Sequence, residues 1–345
     1  MAVDHQLVTD RFAVYNGDCC EVLAALPSES FDFSVYSPPF GGLYHYSSDD
    51  RDLSNCRDYG DFLRHYEFVI TEKARLTKPG CMTAVHLMDT VLDGKLVDLT
   101  GDVIRIHERH GFEYFDRKML WKDPLKEAVR TRALALRHQQ LLKDSSPCRS
   151  ALPDYLVFMQ KKGTRKAPVP HAGGILRYAG ELDPAKRSLM GYTPMPEHLM
   201  ELGHSWDGDP NYNPLSHWIF RRYASPLWDD VRYRRVVPYK EARESKEEKH
   251  VHPLQLDTIE RALTLWTNPG DRVLTPFAGV GSEVYQSILM QRLCAGIELK
   301  ASFYRQMVQN AEAAVEALFH GEIPQEGLFD TPDEDDESVM AGVAA

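Results

Sequence analysis

Short apolar runs alternate with stretches of helical spacing over the first 160 residues. FAVYNGD (12–18) reads as a strand ending in a turn, CCEVLAAL (19–26) as a short helix, and FDFSVYS (31–37) as a strand entering a core. DFLRHYEFVITEKARL (61–76) has apolar residues at helical spacing, and KPG (78–80) stops it. CMTAVHLMD (81–89), FEYFDRKMLW (112–121) and DYLVFMQ (154–160) are further strands, with a helix through VIRIHERHG between the first two. From about 163 to 249 neither period persists, and Pro, Gly, Trp and Tyr accumulate as in a loop-rich insertion. Regularity then returns. LDTIERALTLWT (256–267) is amphipathic, NPGD (268–271) a turn, RVLTPF (272–277) a strand and AGVGS (278–282) a glycine loop. A helix (283–293), a strand (294–299) and a long helix from Ser302 to about Phe319 complete the series. Such alternation predicts an α/β fold, a mainly parallel sheet with helices on both faces.

Two loops in this frame carry chemistry. In FAGVGS, between a strand and a helix, glycines let the backbone turn tightly and approach a ligand, while the helix N-terminus offers unpaired N–H groups. The next strand ends in GIEL, which puts Glu298 at a carboxyl end of the sheet, placed to accept both hydroxyls of a ribose. The spacing is not GxGxxG, which disfavours a nicotinamide cofactor. The second loop is SPPF, Ser37 to Phe40, at the end of a buried strand. Its prolines stiffen the turn and remove two N–H donors, leaving the Ser37 hydroxyl and the carbonyls of Ser37 and Pro38 as acceptors beside the Phe40 ring. That combination suits an exocyclic NH2 on a flat base. Hydrogen bonds from both amine protons favour a pyramidal nitrogen whose lone pair can meet an electrophile, with proximity and alignment supplying most of the acceleration.

SPPF and TPFAGVGS together resemble the catalytic motif and cofactor loop of the amino-methylating DNA methyltransferases, the N4-cytosine/N6-adenine group. SPPF precedes the glycine loop with a variable region between, which resembles the circularly permuted beta class; the likeness covers about residues 10–160 and 250–315. The resemblance implies a Rossmann-like fold dependent on S-adenosylmethionine. Ser37, Pro38, Pro39 and Phe40 would hold the target base. Phe277, Gly279, Gly281 and Ser282 would form the cofactor loop, Glu298 would bind the ribose, and Asp18 of NGD would meet the adenine. HPLQ (252–255) resembles the segment before that loop, which assigns His252, Pro253 and Gln255 to the methionine end. Thr275 stands where the family commonly has an acid, so affinity for the cofactor is expected to be low unless another acid substitutes. The resemblance divides the chain into a permuted catalytic domain (1–162 and 250–320), a target recognition domain (163–249) and an acidic, disordered tail (321–345). Serine at the first motif position is commoner in the N4-cytosine enzymes and aspartate in the N6-adenine enzymes. Both accept from an amine, so the chemistry alone leaves the base open.

Charge modifies this picture locally. The net charge of −11 looks wrong for a DNA partner, but the segment Glu326 to Glu337 carries much of it. Basic clusters stand elsewhere, and Arg130, Arg132, Arg137, Arg221, Arg222, Arg234 and Arg235 are the expected phosphate contacts on double-stranded DNA. Trp218, Tyr223, Trp228 and Tyr233 interleave with them, which suits recognition or a small aromatic core equally. Six scattered cysteines without zinc-like spacing predict reduced thiols and no metal site. His45, His65, His86 and His252 read as surface or satisfied core histidines, and Asp49, Asp50 and Asp52 as turn residues or part of a lid. The chain shows neither a signal core nor an apolar run of membrane-spanning length, so a cytoplasmic, nucleoid-associated protein is expected. Implied partners, besides DNA, are a separate restriction endonuclease and a second copy of the chain. Rival readings are a catalytically silent DNA-binding relative, methylation of RNA or protein amides, and C5-cytosine chemistry from Pro147-Cys148, which would leave SPPF without a role.

Overall fold

The structure, a computed structural model, describes residues 3–39, 49–124, 127, 136, 138–183, 195–242 and 253–321. The N-terminal part supplies β1 (His5–Val8), β2 (Phe12–Asn16), α1 (Cys19–Ala25), β3 (Phe31–Tyr36), α2 (Tyr59–Leu76) and β4 (Thr77–Leu87). There follow β5 (Thr90–Leu92), β6 (Lys95–Val97), α3 (Leu99–Arg109), β7 (Phe112–Leu120), α4 (His138–Lys143) and β8 (Asp154–Lys161). The middle holds α5 (Glu197–His204), α6 (Pro214–Tyr223) and β9 (Leu227–Trp228). The C-terminal part holds α7 (Leu256–Trp266), β10 (Arg272–Thr275), α8 (Ser282–Leu289), β11 (Leu293–Glu298) and α9 (Ala301–His320).

Nine strands form one sheet in the order β1-β2-β11-β10-β3-β4-β8-β7-β9. The run from β2 through β4 is parallel throughout, and β8 pairs antiparallel with both β4 and β7. Strands β11 and β10, from the end of the chain, lie between β2 and β3 from its beginning. Asn16 is paired with Glu298 and Phe33 with Val273, so chain order is permuted relative to sheet order. Alternation along each strand assigns residues to opposite faces. Phe33, Val35, Met82, Ala84, Leu156 and Phe158 pack toward α7, α8 and α9, whereas Tyr36, Val85, Leu87, Val157 and Met159 pack toward α2 and α3. Both faces are thereby covered.

Local chemistry sets the boundaries. The Asp18 carboxylate accepts from Cys20 N at 2.6 Å and starts α1; Asp58 accepts from Asp61 N at 2.8 Å and starts α2. The helix α2 ends at Leu76 as KPG requires, but the chain enters β4 at once, at Thr77, and KPG lies inside the strand. Gly80 there takes φ +73°, and the register between β3 and β4 shifts nearby, between Phe31 and Phe33. Strand β1 and the β5–β6 hairpin are additions to the sequence reading.

The segment 163–249 does not stand apart along its whole length. Leu215, Ile219 and Tyr223 of α6 form a small cluster with Ile175, Leu176 and Tyr178, but Trp228, Val231, Val237 and Ala242 belong to the main core, and β9 extends the sheet beside β7. Among the described residues, no helix is long and apolar enough to cross a membrane.

Candidate active site

Parallel pairing of β10 with β3 sets the exits of two distant segments side by side at the carboxyl edge of the sheet. From β3 the chain runs into Ser37-Pro38-Pro39, and from β10 into Pro276, Phe277 and the glycine loop. The Phe277 ring packs against Tyr36, centroids 5.8 Å apart, and against Tyr66 at 6.5 Å, so an aromatic contact ties the two loops together. Between them opens a cavity of about 220 Å³.

One half of the cavity is built by the glycine loop and β11. Gly279 (φ +52°) and Gly281 (φ +90°) hold backbone conformations that side chains rarely adopt. A Cβ on Gly279 would meet only open space, because that backbone faces the cavity, whereas one on Gly281 would lie 2.8 Å from Met307 Cγ. The Glu298 carboxylate accepts from Gly279 N at 2.9 Å and from Lys300 N at 2.8 Å. Burial pushes its carboxyl up to about 7 despite those two bonds. Each oxygen keeps a lone pair for a further donor. Asp18, Gln255, Phe277 and Ser282 also line the cavity, as does Pro253, while His252 lies outside the described residues. Thr275 is fully buried and does not reach the lining; its hydroxyl has no hydrogen-bond partner among the described residues. A carboxyl that the sequence reading passes over, Glu283 in the first turn of α8, does line the cavity, and burial pushes it up to about 8.

The other half is built by β3, β4 and β8. Ser37, Pro38 and Pro39 line it with His86, Met88 and Asp154, while Phe40 lies outside the described residues. Ser37 Oγ is 2.9 Å from His86 Nδ1, and His86 Nε2 is 3.0 Å from Asp154 Oδ2. Lys122 Nζ lies 2.5 Å from Asp154 Oδ1. Beneath Ser37, the Tyr36 hydroxyl meets Tyr66 at 2.7 Å and receives a hydrogen bond from the fully buried Lys73 at 2.7 Å. Burial drives the Lys73 ammonium well below its ordinary range, so the network can exist without a net charge in the core. Asp49 and Asp52 serve as turn residues, accepting from Arg51 N and Ser54 N. Cys148 sits in a turn outside the lining.

The family described as DNA methylase, with N6 and N4 members, matches residues 31–309. The chain belongs to that family. Curated relatives are the type II methyltransferases M.BglII of Bacillus subtilis, 25% identical over 295 residues, and M.BamHI of Bacillus amyloliquefaciens, 23% identical over 300. Each alignment covers 84% of this chain but 66% and 55% of the respective relatives, so the chain spans under two thirds of their lengths. Among solved structures, a DNA modification methylase of Thermus thermophilus in complex with S-adenosyl-L-methionine superposes with TM-score 0.53 at 19% identity, covering 89% of this chain and 96% of that one. The cytosine-N4-specific PvuII DNA methyltransferase gives TM-score 0.54 at 13% identity, covering 93% and 98%. Both likenesses establish the fold.

The arginines expected to meet phosphate separate into two kinds. Arg221 and Arg234 are exposed. Arg222 is buried with its guanidinium 4.8 Å from the Trp218 ring, and Arg235 Nη1 pairs with Asp257 at 2.7 Å and Glu260 at 2.8 Å. These two are corrected to internal roles: the Trp218 ring face meets the Arg222 guanidinium, and a buried ion network takes up the charge of Arg235. Arg130, Arg132 and Arg137 lie outside the described residues. Of the interleaved aromatics, Tyr223 and Trp228 are buried around the Arg261 guanidinium, 5.1 and 5.2 Å from their rings, and Tyr233 is exposed.

Sequence reasoning sets His86 among ordinary histidines and does not single out Asp154, Lys122 or Glu283. The one signal for His86 is its position near the carboxyl end of the strand that pairs with β3; for Asp154 and Lys122 the β4–β8–β7 pairing has to be seen first, and Glu283 is marked only by its place directly after the glycine loop.

Proposed function

We propose that the protein is a DNA methyltransferase that transfers a methyl group from S-adenosylmethionine to the exocyclic amine of a base turned out of the duplex, N4 of cytosine. The observation that carries this reading is the meeting, in one cavity, of a ribose-ready carboxylate on a glycine loop and a proline-stiffened serine on an acceptor-rich edge. The residues fit such a cofactor: Gly279 leaves open space where any side chain would intrude, Glu298 retains acceptor capacity, and the buried Ser282 hydroxyl has no partner among the described residues. When bound, S-adenosylmethionine supplies a methyl on a sulfonium centre, an electrophile that requires no covalent enzyme intermediate.

The chain's own work is then positional. Glu298 accepts from the ribose hydroxyls, Asp18 and Phe277 border the adenine, and Gln255 and Glu283 face the amino-acid end. Opposite them, the Ser37 oxygen and the Ser37 and Pro38 carbonyls accept the amine protons and turn the nitrogen lone pair toward the methyl. Phe40 would stack on the base. Extrusion of a base costs on the order of a few kcal/mol, which that aromatic contact helps to offset. Cytosine is preferred on the identity of Ser37 alone, by resemblance to the N4 enzymes. The helix pair α5–α6 and the turn that joins them, with exposed Met200, Leu202, Tyr212, Phe220 and Arg221, support target recognition by part of 163–249. The type II relatives support a separate endonuclease as partner. Calorimetry and methyl transfer on Ser37→Ala test the site: binding of S-adenosylhomocysteine should survive while transfer to duplex DNA is lost, and a variant as active as the parent would contradict the assignment.

A further inference from the structure

Ser37, His86 and Asp154 stand in file on the target side of the cavity, with spacings of 2.9 and 3.0 Å, and Lys122 closes the file 2.5 Å from Asp154. The partners dictate the proton positions. A carboxylate facing an ammonium accepts only, so His86 Nε2 carries hydrogen and donates to Asp154. Nδ1 is then a bare lone pair that accepts from the Ser37 hydroxyl, which turns the lone pairs of Ser37 Oγ outward. The same three residue types activate a nucleophile in acyl transfer, but that chemistry requires N–H donors for the developing oxyanion. Pro38 and Pro39, the two residues after Ser37, have none. The file is therefore built to carry a proton inward.

Resting on the DNA amino-methylation reading, we propose that His86 is the acceptor of the proton that the methylated amine must release. As the new N–C bond forms and the methyl–sulfur bond breaks, its electron pair staying on a neutral thioether, the amine nitrogen becomes cationic, and one N–H bond then breaks. Ser37 Oγ takes that proton and passes its own to His86 Nδ1. The resulting imidazolium faces the Asp154 carboxylate, and the proton later leaves to solvent. Asp154 and Lys122 are positioning residues, fixing the tautomer and the carboxylate. Charged groups around His86 are Asp154 on β8, Lys122 and Glu127 following β7, and Arg51 and Asp52 across the cavity.

The test uses the full chain, duplex DNA and S-adenosylmethionine under single turnover in mixtures of H2O and D2O, with S-adenosylhomocysteine binding measured in parallel. Plotted against the D2O fraction, the parent rate should fall along a curve, because more than one proton moves in the relay. His86→Gln, whose amide can still meet Ser37, should bind S-adenosylhomocysteine normally, transfer methyl about 10²–10⁴-fold more slowly and lose that curvature. Asp154→Asn should slow transfer and keep the curvature, and it serves if the Gln variant fails to fold. A His86→Gln enzyme that keeps the parental rate and curvature overturns the relay, as does labelling of Ser37 by a fluorophosphonate, which would mark it as a nucleophile. A folded parent that transfers no methyl to DNA overturns the underlying reading, and the relay with it.

Discussion

Glu283 offers a prediction that depends on no ligand. It occupies the first turn of α8, where helix N–H groups favour an anion by about 0.3–1 kcal/mol. Its side chain is nevertheless 4% exposed, and burial pushes the carboxyl from its ordinary 4.5 up to about 8. Desolvation of a charge outweighs the helix end here. Between those two values the folded protein holds a proton that the unfolded chain has released. Stability from this group is complete below the unfolded value and is lost as pH rises toward about 8, at about 1.4 kcal/mol per unit. By pH 7 the loss is on the order of 3 kcal/mol. Glu283→Gln keeps the shape and abolishes the titration. In urea unfolding followed by tryptophan fluorescence, the variant should gain on the parent by about 2–3 kcal/mol between pH 5.5 and 7.5 and level off above about 8. Glu298 titrates in both proteins and cancels in the difference. A difference that stays flat with pH would mean that Glu283 is already ionised in the folded protein, and that burial does not hold its proton.

Three further outcomes follow from the geometry. Glu298 must be a carboxylate to accept from two hydroxyls, so S-adenosylhomocysteine affinity should weaken as pH falls below about 7; Glu298→Gln should weaken binding and flatten that dependence in calorimetry. Gly281→Ala should destabilise by about 2–3 kcal/mol, since its Cβ would crowd Met307 at φ +90°, whereas Gly279→Ala should cost about 1–2 kcal/mol and impair ligand binding more than folding, as thermal melts with and without ligand would show. Arg235→Met should lower stability by about 1.5–3 kcal/mol, the loss of its charged hydrogen bonds, because Asp257 keeps Arg232 and Glu260 keeps Arg177, while Arg221→Ala should spare stability and reduce the salt slope of DNA binding by about 0.9 for each phosphate that the side chain neutralises.

The alternating pattern made most of the fold legible, because strands buried on both faces and amphipathic helices each leave a period in the sequence. The pattern says nothing of partners, however, and the omissions follow from that. The β5–β6 hairpin had a local signal, Asp93-Gly94, both at positive φ, but its strands are only three residues long and carry no clear alternation. Strand β1 is mostly exposed, so burial imposes no apolar period on HQLV. The cofactor half of the site was readable because one loop and one strand end hold it within about 20 residues, Gly279 to Glu298. The target half draws His86, Lys122 and Asp154 from three strands or their ends, which only the β4–β8–β7 pairing brings together. Arg222 and Arg235 escape sequence reading for a related reason: Arg235 and Arg221 look alike in a basic cluster, and only the place of Asp257 and Glu260 on α7 separates an internal ion pair from an exposed cation.

Methylation of an exocyclic amine in DNA is tested by incubating purified protein with isotope-labelled S-adenosylmethionine and mixed-sequence duplex DNA, then digesting the DNA for nucleoside mass spectrometry. Label in N4-methylcytosine is the expected outcome. Label in N6-methyladenine would keep the chemistry and overturn the choice of base, and no label in any DNA base from folded, cofactor-binding protein would contradict DNA amino-methylation itself.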